Sequence, residues 1–161
     1  IYGRRFARYV LLRLEYLLAS HAAPLNLPDE ISVEHILPQT PGKTSQWLKD
    51  FTEEQREAWL PRLGNLMLLS RRKNTSLGNL DFADKRVRYF EDRVESLPNS
   101  QRLLALGAFT LSDLESRHQD LLNRLAGSYG VKPRHFVECV RMTSSLVYWQ
   151  PIACRQPLRR A

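Results

Sequence analysis

The sequence predicts an α+β domain that is mostly α-helical. Three observations carry this reading. Apolar residues recur at helical spacing over residues 2–20, 82–94 and 111–125. Two short apolar runs, residues 31–35 and 65–70, have the length of strands. The second run passes directly into a polar segment, residues 71–77, closed by Gly78, so strand, strand and helix are all at hand for a small mixed core.

In residues 2–20, Phe6, Val10, Leu14, Leu17 and Leu18 alternate with Arg4, Arg5, Arg8, Arg13 and Glu15, the pattern of an amphipathic helix. We read its arginines as a solvated face. His21 follows in a polar break, where an imidazolium suits a helix end. Pro24 and Pro28 mark a loop into the extended run of Ile31 and Val33, which Pro38 stops. Beyond a second loop with Pro41 and Gly42, Trp47, Leu48 and Phe51 predict a helical turn. Thr52 and Gln55 stand at capping-box spacing, so a short helix runs through Trp59 until Pro61.

Residues 65–70 fit a strand, although a buried helix of that length has the same composition. Gly78 suits a left-handed cap of the turn before it. Asp81 is placed to cap a helix with Phe82, Val87, Phe90 and Val94 toward one face and Lys85, Arg86, Arg88 and Arg93 elsewhere, ended by Pro98 and Asn99. Residues 101–108 read as helical. Thr110 and Asp113 cap a last helix bearing Leu114, His118, Leu121, Leu122 and Leu125, closed by Gly127 and Gly130. His118 is read as a packed structural histidine, and His135 is given no role. From Val131 the pattern weakens; residues 136–147 fit helix or strand, and residues 155–161 a terminal tail. The chain thus divides into a domain over residues 1–127 and a C-terminal extension over residues 128–161.

At 161 residues the chain can bury a core without staples. Lys and Arg number 24 against 17 Asp and Glu, a formal charge of +7, which favours an anionic partner, nucleic acid ahead of an acidic membrane surface. Most of the basic residues are arginines, whose fork fits phosphate oxygens. Cys139 and Cys154 form no Cys-x-x-Cys pair, which argues against a zinc ribbon. No membrane-spanning run or signal-peptide pattern is seen, which predicts a cytoplasmic protein. The chain starts at Ile1, close to a helical pattern, as expected of a piece of a longer protein.

The chemistry concentrates in residues 32–39, Ser-Val-Glu-His-Ile-Leu-Pro-Gln. Strand alternation turns Glu34 and His35 to opposite faces, so both serve one site only if the strand ends or bends there. His35 is the candidate general base, because a neutral imidazole can take a proton from water. Glu34 and Asn74 supply oxygen ligands suited to Mg²⁺ or Mn²⁺. Asn65 could hold the loop bearing His35 or orient its ring through the second nitrogen. Arg71, Arg72, Lys73, Lys85 and Arg86 are candidate phosphate contacts, which position DNA without reading it. The expected site is a metal-dependent nuclease site of the His-Asn-Asn type.

The whole constellation is Glu-His-Ile-Leu-Pro-Gln from Glu34, Leu-Gly-Asn-Leu-Met-Leu-Leu from Leu63, then Asn74-x4-Asn79-x2-Phe82-x2-Lys85. It resembles the HNH-type C-terminal domain of GmrSD-like type IV restriction proteins and related phage-defence nucleases, including phosphorothioation-sensing ones. The resemblance covers roughly residues 9–125 and is most specific over residues 33–89. It implies a ββα-metal (HNH) nuclease core surrounded by helices, acting on DNA in bacterial defence. His35 matches the family histidine, Glu34 its acidic position, and Asn65 the asparagine of its Gly-Asn-Leu. Asn74, Asn79 and Lys85 match its Asn, Asn and Lys positions, the last two supporting the site or positioning substrate. It also implies an N-terminal ParB-like nucleotide-hydrolysing sensor domain in the full-length protein.

Two other readings compete. A catalytically silent DNA-binding module would grip phosphate with its basic helices and use the His-Asn cluster to buttress a loop. A metal-stabilised interaction domain would lose its fold on chelation.

Overall fold

Two strands pair antiparallel at the centre, β1 (Ile31–His35) and β2 (Leu66–Ser70), with Glu34 opposite Met67 and His35 opposite Leu66. The computed structural model describes residues 1–19, 25–91 and 97–131. Around the sheet lie α1 (Ala7–Leu18), α2 (Trp47–Asp50), α3 (Glu53–Trp59), α4 (Arg71–Leu77), α5 (Phe82–Glu91), α6 (Pro98–Leu104) and α7 (Leu111–Ser128). Among the described residues this is a mixed, mostly helical domain with one two-stranded sheet. No described helix is long and apolar enough to cross a membrane.

The unbroken apolar run of β2 reflects burial on both faces. Met67 and Leu69 enter one core with Ile36, Leu37, Trp47, Phe51 and Tyr89. Leu66 and Leu68 enter a second with Leu11, Leu14, Leu121 and Leu125. A strand covered on both sides needs no polar alternation. The capping boxes at Thr52–Gln55 and Thr110–Asp113 both form.

Several expectations are corrected. On α1 the buried positions are Ala7, Leu11, Leu14 and Glu15, whereas Phe6 is exposed. On α5, Phe82, Lys85 and Tyr89 face inward, and Val87 and Phe90 are exposed. An internal partner for a lysine turns the helix relative to its apolar periodicity. The Asp81 carboxylate accepts from the Ser45 hydroxyl and the Gln46 N–H at the start of α2. Pro98 opens α6 rather than ending α5, since the first helical position needs no N–H. Asn65 belongs to a 3₁₀ turn (Leu63–Asn65) before β2, not to the strand. Gly78 has a positive φ of 40°, with ψ −127° outside the left-handed helical region. His21, Arg93, Val94, His135, Cys139, Cys154 and residues 136–147 and 155–161 lie outside the described residues.

α7 is joined to the 3₁₀ turn by polar contacts. Arg117 donates to the carbonyls of Gly64 and Leu66 and to Asn99 Oδ1. His118 Nδ1 accepts from the Gly64 N–H at 3.1 Å, and its ring meets Trp59 edge-on. Burial, with the Arg62 charge, holds its pKa down at about 4, so this acceptor is a neutral imidazole. His118 is thus a structural residue.

Candidate active site

His35 is the last residue of β1, and the chain leaves the strand in a loop pinned by Asn65. The Asn65 side chain, 0% exposed, accepts from the Leu37 N–H at 2.7 Å and donates to the Leu37 carbonyl at 3.1 Å. Its backbone carbonyl accepts from the Ile36 N–H. One asparagine amide thereby serves both polar groups of a buried residue, which is how an amide can replace a strand partner. Both side-chain hydrogen bonds of Asn65 go to Leu37, so it holds the loop that follows His35.

Because the strand ends there, Glu34 and His35 both line one cleft of about 280 Å³, together with Tyr2, Pro38, Asn74 and Asn79. His35 Nε2 is buried and has no hydrogen-bond partner among the described residues. The Tyr2 ring lies edge-on to the imidazole at 4.1 Å between centroids. Burial lowers the His35 pKa to about 4, helped by the Lys85 charge and opposed by a backbone hydrogen bond at Leu60. The ring is therefore neutral at physiological pH.

Lys85 reaches the same place from α5. Its ammonium, 0% exposed, donates to Glu34 Oε1 at 2.6 Å and to the His35 carbonyl at 2.7 Å. Burial pushes the Glu34 carboxyl up and the Lys85 ammonium down, and each partner holds the other back. Asn74, on α4, donates through Nδ2 to Ser32 Oγ at 2.8 Å and to the Val33 carbonyl at 3.4 Å. With that nitrogen turned to β1, its oxygen is the atom it can offer a cation. Asn79 donates to Thr40 Oγ1 at the rim.

The C-terminal-domain family of GmrSD restriction endonucleases matches residues 2–124. The chain belongs to this family. The matched span contains every residue that lines the cleft. Comparison with curated proteins and with solved structures returned no match.

In this GmrSD-family domain the basic residues around Asn74 divide sharply. Arg71 and Arg72 are exposed, Arg71 lying 3.6 Å from Glu30. Lys73 is corrected: it is buried, with its ammonium on the Tyr89 carbonyl at 2.7 Å. Arg86, half-buried, donates from its guanidinium to the carbonyls of Leu104 and Gly107. Lys85 is no surface phosphate contact either. The Lys73 and Lys85 ammonium groups each satisfy a buried acceptor that would otherwise be stranded. Tyr2 was not legible as a site residue, because nothing near it in sequence marks it; only the packing of the chain start against β1 does.

Metal fit follows from the donor types. No three His, Cys, Asp or Glu side chains gather into a metal cage among the described residues. The Glu34 carboxylate and the Asn74 amide oxygen are hard donors, few in number, as suits Mg²⁺, which keeps several waters and binds substrate phosphate.

Proposed function

We propose that this GmrSD-family domain is a metal-dependent DNA endonuclease of the HNH type, with β1, β2 and α4 as its ββα-metal core. The observation that carries the proposal is the unpartnered, buried Nε2 of His35 in a cleft shared with Glu34 and Asn74. A buried nitrogen with no partner is costly unless a ligand or water uses it.

In this reading His35 Nε2 accepts the proton of the attacking water, and the low basicity of the ring keeps it ready to do so. Asn65 and Lys85 hold His35 from its two backbone sides, through Leu37 and through its own carbonyl. Glu34 and Asn74 would hold Mg²⁺ or Mn²⁺, which when bound neutralises charge on the scissile phosphate and the leaving oxygen. Arg71 and Arg72 lie on the exposed side of α4 as phosphate contacts, and Asn79 orients substrate at the rim. The domain acts on DNA in the bacterial cytoplasm, in anti-phage defence, coupled to a ParB-like sensor domain of the full-length protein. One site cuts one strand, so a nick is the elementary product.

A second reading, a silent DNA-binding module, is favoured by one observation: Glu34 is already paired with an ammonium. The deciding experiment is conversion of supercoiled plasmid with Mg²⁺ or Mn²⁺, beside His35→Ala and an EDTA control. Cutting that disappears in both controls supports the nuclease. DNA retention without cutting by the intact domain supports the silent module.

A further inference from the structure

With Lys73, Lys85 and Arg86 turned to internal acceptors, much of the positive charge expected beside Asn74 is absent from the cleft wall. Exposed charge instead gathers on α1 and the turn before it. Arg4, Arg5 and Arg8 are exposed and Arg13 is half-exposed, and none forms a salt bridge with an acid among the described residues. On α1, Tyr9, Arg13 and Tyr16 follow at spacings of a single helical face with Arg8 alongside, and Arg5 stands in the turn just before the helix. Tyr9 is 63% exposed and Tyr16 53%.

The acid of this helix, Glu15, is turned inward, 0% exposed, with Oε2 on the Asn99 N–H. The outer face therefore carries guanidinium and phenol groups without a carboxylate. A merely solvated helix face ordinarily mixes both signs.

The chain runs from the cleft into this helix. Tyr2 lines the cleft and meets the His35 ring, and the turn bonds Arg4 N–H to Ile1 carbonyl and Ala7 N–H to Arg4 carbonyl carry the chain from Tyr2 into α1. From Arg8 to Tyr16 the helix rises roughly 12 Å, about three to four base-pair steps of a duplex.

We propose that the outer face of α1, together with the turn that precedes it, binds the phosphate backbone of duplex DNA flanking the scissile site, through Arg5, Arg8 and Arg13 with Tyr9 and Tyr16 as hydroxyl donors. It rests on the nuclease reading of the cleft. Arginine forks and tyrosine hydroxyls are both phosphate donors, and such contacts carry affinity without sequence preference.

The test is binding of a fluorescently labelled duplex by the full chain in EDTA, across roughly 50 to 200 mM salt. The triple variant Arg5→Ala, Arg8→Ala, Arg13→Ala should bind at least ten-fold more weakly. Its log–log salt slope should fall by about 0.9 for each phosphate that the variant no longer neutralises. Arg→Lys at the same three positions should keep most of the slope. Unchanged melting temperature in the Ala variant shows that folding is intact.

Equal affinity and slope in the Ala variant and the wild type would overturn the proposal, as would a wild type that does not bind duplex. Failure of the nuclease reading looks different: duplex binding that depends on the three arginines, with no plasmid cutting in any metal.

Discussion

The ammonium of Lys85 lies 2.6 Å from Glu34 Oε1 and 2.7 Å from the carbonyl of His35, so one buried cation joins both residues of the Glu-His pair. The two ends of this ion pair are 51 residues apart. It holds the end of β1 against α5 and sets the positive charge that, with burial, keeps the His35 ring neutral.

Removing one partner leaves the other charged and buried. Lys85→Met should therefore destabilise the domain by about 3–5 kcal/mol and abolish plasmid cutting. The double variant Lys85→Met, Glu34→Gln should recover much of the stability and none of the cutting. Thermal melts and the plasmid assay check both halves; a double variant as unstable as the single one would show that the pair is not the source of the loss.

Asn65→Ala strands the N–H and the carbonyl of Leu37 in a dry interior. Each orphaned group costs about 1–3 kcal/mol, so chemical denaturation should show a large loss, with cutting lost in the fraction that stays folded. Asn65→Asp keeps the acceptor for the Leu37 N–H but sets a carboxylate against the carbonyl, and it should rescue little.

Gly64 is required by close approach rather than by φ. A Cβ there would lie 2.7 Å from His118 Cβ and 2.8 Å from the Leu114 carbonyl oxygen, so α7 would have to move. Gly64→Ala should cost about 1–3 kcal/mol, the usual penalty of overpacking, read from the melting temperature. A shift of α7 also pulls on Arg117 and Asn99, so the variant should loosen α6 in hydrogen exchange.

Stability should pass through a maximum near neutral to mildly acidic pH. Burial raises the Glu15 pKa to about 7 against 4.5, so the folded state holds a proton that the unfolded chain releases. This contribution is full below pH 4.5 and is lost as pH rises through 7. Glu15→Gln should remove that loss, which falls between pH 4.5 and about 7 and is worth on the order of 2–3 kcal/mol. His35 and His118 act oppositely. Both are held at about 4 against 6.5, so the unfolded chain binds protons first and stability falls as pH drops from 6.5 toward 4. Melts from about pH 4 to 9 on wild type and Glu15→Gln test the signs. For cutting, the acid limb should lie below the ordinary imidazole pKa, with a midpoint near ~6.5 counting against His35 as base.

The element order, both capping boxes and the stretch that bears the cleft are legible in the chain alone. Those features are local: an oxygen three residues from its N–H, a strand ended by proline, an apolar run of strand length. The match over residues 2–124 belongs to the same level, because Glu34, His35, Asn65 and Asn74 stand within it in their order. The rotation of α1 and α5 was not legible. Apolar periodicity ranks each side chain by its own cost of burial, which places Lys85, Lys73 and Glu15 outside. In the fold Glu34, the Tyr89 carbonyl and the Asn99 N–H offset that cost, and no local window contains such partners. For the same reason Tyr2 gained its place against His35 only when the chain start packed beside β1.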